Sequence, residues 1–283
     1  MERGEIMTIL QEEAIKYAEL GLKIYPLLPR EKKPLLKGGF HNATCDIQMV
    51  KKIWDKYPYA NIAIATGNKG EYSSGIVVID LDVDIDRDIN GVESLKQWEQ
   101  AQGLKINRNT WVAKTGRGGF HLYYKTDINI KSSTSVVLKG VDIIADLKGI
   151  VAPPSIHPNG NGYKWVKDFS PDYKGIAELG NAEYKLLSRA KNSTYTHSNY
   201  NNSSAYINNI FNDGIISAGT RNDTIFRKTC KLQSKGLSDY IIRIEVSRYN
   251  LEHCNPPLDD TELNTIINSA LSRYPKGGVK CWR

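Results

Sequence analysis

The run Ile76-Val77-Val78-Ile79-Asp80-Leu81-Asp82 decides how the rest of the chain is read. It is strongly apolar and short, which reads as a buried β-strand, and it ends in two carboxylates. Side chains at positions i and i+2 of a strand share a face, so Asp80 and Asp82 project together. Adjacent carboxylates repel unless a cation lies between them, and hard oxygen donors suit Mg²⁺ or Mn²⁺. A solvated acidic strand end would have the same letters, so this segment alone leaves both readings open. Asp84, Asp86 and Asp88 carry the alternation on into a loop.

Upstream, Thr8-x-x-Gln11 reads as a capping box, with Gln11 reaching back to the helix start. Ile9, Ala14, Ile15, Ala18 and Leu22 form a rough helical stripe that Gly21 stops. Leu22 to Leu28 is a short strand that Pro26 and Pro29 push to a sheet edge, followed by a basic loop from Lys32 to Gly39. Asp46 begins a second helix, and Asn61 to Thr66 is another strand. Downstream, residues 91 to 102 suit a surface helix. Thr110 to Lys114 and Phe120 to Lys125 flank Thr115-Gly116-Arg117-Gly118-Gly119 as a hairpin. Further short strands follow around 136 to 138, 141 to 146, 150 to 152 and 163 to 166.

This mixture predicts an α+β domain with a mixed β-sheet core over residues 8–190. Residues 191–206 are polar and aperiodic and read as a flexible linker. Residues 207–283 predict a small all-α domain, with helices near 222 to 234 and 239 to 249 and a third introduced by Asp259-x-x-Glu262.

Composition narrows the class. The chain has 283 residues, 40% apolar and 24% charged, as soluble globular proteins do. Its net charge of +7 fits a nucleic-acid partner without requiring one. Cys45, Cys230, Cys254 and Cys281 include no C-x-x-C pair, and His253-Cys254 has no second half, so no zinc is expected. Scattered cysteines read as free thiols in a reducing compartment, and a cytoplasmic location is expected, with no membrane partner.

Two more segments carry candidate chemistry. In Gly118-Gly119-Phe120-His121, an imidazole follows a Gly-rich turn bearing Arg117, a setting in which backbone N–H groups and a guanidinium could share a phosphate. Phe120, Leu122 and Tyr124 alternate with His121, which should point away from the more apolar side; a lone histidine is more often structural. In Gly140-Val141-Asp142-Ile143-Ile144-Ala145-Asp146, either Asp142 or Asp146 could complete a three-carboxylate site. The rigid Pro153-Pro154-Ser155-Ile156-His157 turn presents a hydroxyl and an imidazole, or is simply a structural loop.

Taken in order, Asp-x-Asp at a strand end, a Gly-rich turn into a His strand, Val141-Asp142 and Ala152-Pro153-Pro154-Ser155-Ile156-His157-Pro158 resemble the bifunctional primase-polymerase N-terminal domain of the archaeo-eukaryotic primase superfamily. That domain is common in phages and other mobile elements. Lys33-Pro34, Asn61-Ile62-Ala63-Ile64 and Gly67 also fit, and the resemblance spans roughly residues 10 to 175. Gly219-Thr220-Arg221-Asn222, Cys254-Asn255-Pro256-Pro257-Leu258 and Glu262 resemble the small primase C-terminal domain that often follows.

The resemblance implies template-dependent synthesis and extension of primers on single-stranded DNA from dNTP or NTP. Asp80, Asp82 and a later Asp would bind two divalent ions, Mg²⁺ or Mn²⁺. The family pattern favours Asp142, with Asp146 as the alternative. His121 and Arg117 would hold the triphosphate, with Ser155 and His157 near the same nucleotide. The position two before the His is often Ser or Lys in the family. Here it is Gly119, so backbone or Arg117 would supply that contact. Arg221, Lys228 and Lys231 are candidate template-phosphate contacts, although charged helix surfaces are usually just solvated. No Walker-type phosphate loop is present, so a helicase is expected as a separate partner or on a longer chain. A metal-dependent nuclease could use the same carboxylates. A non-catalytic DNA-binding accessory factor would have no use for repelling ones.

Overall fold

The computed structural model describes residues 7–68, 70–126, 129–189, 214–234, 237 and 239–273. They fall into two units, Met1–Glu178 and Leu179–Arg283. The division lies upstream of the boundary expected near residue 190, because the helix after Leu179 packs within the second unit. The expected linker at 191–206 lies outside the described residues.

The first unit runs α1 (Ile9–Glu19), β1 (Ile24–Leu27), α2 (Ile47–Lys56), β2 (Asn61–Ala65), β3 (Ile76–Leu81), β4 (Val83–Asp84), β5 (Ile89–Asn90) and α3 (Gly91–Gln102). It continues through β6 (Val112–Lys114), β7 (Phe120–Lys125), β8 (Ser133–Leu138), β9 (Val141–Ile144), β10 (Gly149–Ala152), β11 (Lys164–Trp165) and β12 (Ala177–Glu178). A 7-stranded sheet has the order β11-β6-β7-β3-β9-β8, with β12 parallel to β7. A 3-stranded sheet has the order β1-β2-β10, which leaves the proline-containing β1 at an edge.

The run Ile76–Leu81 is the inner strand β3, paired antiparallel with β7 and β9. Both of its faces are covered, which is why its apolar residues are continuous. Val78 and Tyr123 on one face join a core with Tyr17, Trp54, Ile62, Ile64 and Ile150, drawn from α1, α2 and the small sheet. On the other face α3 packs on β3, β8 and β9 and buries Leu95 and Trp98. Burying these aromatic and branched side chains stabilises the unit by roughly 1.5–3 kcal/mol each. Both faces of the sheet are buried, and His121 stands on the face away from Phe120, Leu122 and Tyr124, directly opposite Asp80.

Thr8 caps α1 as predicted, its Oγ1 accepting from Gln11 N at 3.2 Å. Gln11 does not reach back. Its side chain is buried and donates to Asp55 of α2, so it ties two helices together.

The second unit holds α4 (Asn181–Ser188), α5 (Arg221–Ser234), α6 (Asp239–His253) and α7 (Asp260–Arg273). Apart from a two-residue parallel pair, β13 (Ile216–Ser217) with β14 (Cys254–Asn255), its described structure is helical. Ile225, Leu232, Ile242, Val246, Tyr249, Leu263 and Ile267 form its core. Asp259 caps α7, accepting from Glu262 N at 2.8 Å, while the Glu262 carboxylate takes Asn222 Nδ2 at 2.7 Å instead of closing a box. No described helix is long and apolar enough to cross a membrane.

Candidate active site

Register assembles the site. On β3, Asp80 lies directly opposite His121 of β7 and directly opposite Asp142 of β9. Directly paired residues of antiparallel strands share a face, so the three side chains stand in a row across the sheet. Asp82 lies one residue beyond the end of β3, and its charge acts on Asp80, which places it beside the row. The backbone stays tied beyond β3, with Asp82 N donating to Gly140 O at 2.8 Å and Gly91 N to Asp82 O at 2.7 Å.

Burial sets the protonation of this row. The Asp80 carboxyl is pushed up to about 8, first by desolvation, then by the neighbouring Asp82 charge and further by Asp142, with the Lys32 ammonium opposing. His121, 3% exposed, is held down to about 3 by burial first and by Lys32 second. The 3.5 Å approach of His121 Nε2 to Asp80 Oδ1 is therefore no ion pair at neutral pH. The imidazole is neutral and the carboxyl is largely protonated. Asp80 Oδ1 is buried without a hydrogen-bond partner among the described residues.

These features suit a divalent cation. The donors are hard oxygens, one is buried without a partner, and the charges of Asp82 and Asp142 raise the proton affinity of Asp80 in a way a cation would relieve. As they stand, no three His, Cys, Asp or Glu side chains among the described residues are grouped tightly enough to enclose an ion.

Asp146 is not part of the row. Ile144 ends β9 opposite Val78, so Asp146 is displaced towards the start of β3, away from Asp82. Its Oδ1 accepts from Asn68 N at 2.9 Å and sits where a Cβ on Gly67 would fall, 2.4 Å away. Asp142 and Asp146 would share a face only on a regular strand, and the strand ends between them.

The Pro-Pro-Ser-x-His turn divides its roles. Ser155 is fully buried, its Oγ accepting from Ile62 N at 2.8 Å and donating to Ile62 O at 3.3 Å. That hydroxyl is a strut between the turn and β2, its single O–H donor used on Ile62 O. His157 accepts at Nδ1 from Asn159 N at 3.2 Å. Its proton affinity is lowered by burial first, and Lys32, Arg117 and Asp82 all act on it, which places it beside the row. The buried Tyr163 ring lies between the two imidazoles, 5.7 Å from His121 and 6.0 Å from His157.

Arg117 extends from the hairpin turn to Asp84, Nη1 to Oδ2 2.7 Å, with Arg87 on the same carboxylate at 3.7 Å. Gly119 leaves no space for the Ser or Lys common in the family, because a Cβ there would lie 2.1 Å from Leu81 O. In the second unit, Arg221 donates to the Pro256 carbonyl and the Lys228 ammonium lies 5.1 Å from the Tyr249 ring centroid. Lys231 is exposed.

Three residues of this region escape a reading of motifs: Lys32, Asn61 as a structural clamp, and Tyr163. In the sequence Lys32 is one charge of a basic loop and Tyr163 one residue of a short strand. Only contacts from distant segments give them meaning.

The family model described as bifunctional DNA primase/polymerase, N-terminal, matches residues 14–182, and the model described as primase C terminal 1 matches residues 196–276. Among solved structures, the crystal structure of primase RepB' is 11% identical, with 92% of this chain and 94% of that one covered at a TM-score of 0.32, too low a likeness to bear on the fold. No curated protein matches the sequence. With one model spanning more than half of the residues and a second following it in order, the chain belongs to the bifunctional DNA primase/polymerase family.

Proposed function

We propose that the chain is a template-dependent nucleotidyltransferase that makes DNA primers and extends them, serving the replication of a phage or other mobile element. The observation that carries this reading is the row His121, Asp80 and Asp142 across three paired strands, with Asp82 beside it. Asp80, Asp82 and Asp142 would hold two divalent ions, Mg²⁺ or Mn²⁺. When bound, such ions lower the pKa of a primer 3′-hydroxyl and offset charge on departing pyrophosphate.

The chain's own residues position the nucleotide. Neutral His121 can donate a hydrogen bond to a phosphate oxygen from a fixed ring, since β7 and Tyr163 hold it. Arg117 reaches a triphosphate by exchanging Asp84 for it, which replaces one anionic partner by another. His157 offers a second neutral imidazole beside Asp82. Catalysis on this reading is mostly positioning and charge stabilisation. Single-stranded DNA is the template, Lys231 and its neighbours on α5 are candidates to grip it, and a separate helicase would open the duplex.

The test is a template-directed assay with Mg²⁺ or Mn²⁺, using labelled dNTP or NTP, with and without primer. Extension should vanish when both Asp80 and Asp82 are alanine. Extension that survives in that variant would overturn the reading. Template degradation without nucleotide incorporation would make the carboxylates those of a nuclease.

A further inference from the structure

We infer that Lys32 is a further substrate-contacting residue of this site, placing a second side-chain cation, with Arg117, on the polyphosphate of the incoming nucleoside triphosphate. The inference rests on the proposed nucleotide-binding role of the site.

The loop that carries Lys32 is built, not loose. Leu27 bridges to Pro34, Leu28 N donates to Lys33 O at 2.8 Å, and Leu35 N donates to Pro26 O at 3.0 Å. Within it Glu31 N closes a turn onto Leu28 O at 3.0 Å, with Arg30 in the left-handed region. The buried Asn61 then fastens this loop to the histidine turn. Its Nδ2 donates to Glu31 O at 3.1 Å and to Ile156 O at 2.7 Å, and its Oδ1 accepts from Ile156 N at 2.9 Å. Lys32 follows Glu31 directly, and His157 follows Ile156 directly. One side chain therefore sets the spacing of both.

The charge of Lys32 acts on the site from this position. Its ammonium acts on His157, the residue that follows the other end of the Asn61 clamp. Its neighbour Lys33 is paired with Glu31 at 3.4 Å. Lys32 is exposed and has no ion-pair partner among the described residues. Arg117, by contrast, is already occupied by Asp84. An unpaired cation on a fixed loop beside buried imidazoles and carboxylates matches a polyanion better than any group of the chain itself.

The experiment measures binding of dATP and of dAMP, each with Mg²⁺, to the full chain and to Lys32→Met and Lys32→Arg, alongside the KM for dATP in primer extension. An exposed side chain makes both variants safe for folding. Lys32→Met should weaken dATP roughly tenfold, as loss of a contact to a charged group does. It should affect dAMP much less and raise KM more than it lowers kcat. Lys32→Arg should restore most of the dATP affinity. Unchanged dATP binding in Lys32→Met, an equal loss for dAMP and dATP, or no dATP binding by the unaltered chain would each overturn the inference. If the unaltered chain extends no primer yet binds dATP in a Lys32-dependent way, the proposed function falls and the inference stands.

Discussion

Replacing Asp80 by asparagine should stabilise the protein when divalent ions are removed, and the gain should grow with pH. Burial and the charges of Asp82 and Asp142 raise the Asp80 carboxyl from 3.8 to about 8. At about 1.36 kcal/mol per pKa unit, ionising it costs on the order of 5 kcal/mol more in the folded than in the unfolded chain. The folded pKa lies above the unfolded one, so the neutral form is the one the fold favours. This group's contribution is complete below about pH 4 and is lost as pH rises to about 8. Asparagine keeps the shape and never ionises. His121 has the opposite trend: its folded pKa is depressed to about 3, so it adds stability as pH rises towards its ordinary value of 6.5. That contribution cancels in the difference between Asp80→Asn and the unaltered chain. Urea titrations in EDTA at pH 5, 6, 7 and 8 measure this difference. Trp54, Trp98, Trp111 and Trp165, four of the chain's five tryptophans, lie in the first unit, so tryptophan fluorescence mainly follows its unfolding. The variant's advantage should rise by several kcal/mol over this range, and added Mg²⁺ or Mn²⁺ should restore the unaltered chain far more than the variant. A difference that stays constant from pH 5 to 8 would refute the burial argument.

Exchanging the two candidate third carboxylates separates them: Asp142→Asn should slow extension at least about a hundredfold, as loss of transition-state charge stabilisation does. Asp146→Asn, whose oxygen still accepts from Asn68, should extend primers at the normal rate. Asp84→Asn frees Arg117 from a half-exposed ion pair worth up to about 1 kcal/mol, so the KM for nucleotide should fall about two- to fivefold in steady-state extension assays. Ser155→Ala removes two buried bonds to Ile62 and should lower stability by roughly 1–3 kcal/mol in urea, with kcat per folded molecule unchanged.

Sequence alone determined the local parts. A period of two places Asp80 and Asp82 on one face of a strand, and the glycines between residues 116 and 119 make the turn that leads to His121. Thr8, Asp46 and Asp259 were legible as helix starts because a cap needs only a short side chain and its own next turn. The return half of the Thr8 capping box was not, since Gln11 found its partner on α2. Tertiary structure decided everything that depends on register between distant strands. It set Asp142 opposite Asp80 and left Asp146 beyond the end of β9, bridged to Lys131, it spent the Ser155 hydroxyl on β2, and it brought Lys32, Asn61 and Tyr163 to one place. Periodicity reports which way a side chain faces along its own strand. Which residue of another strand stands beside it is set by hydrogen-bond register and by how two sheets pack, and no local pattern carries that.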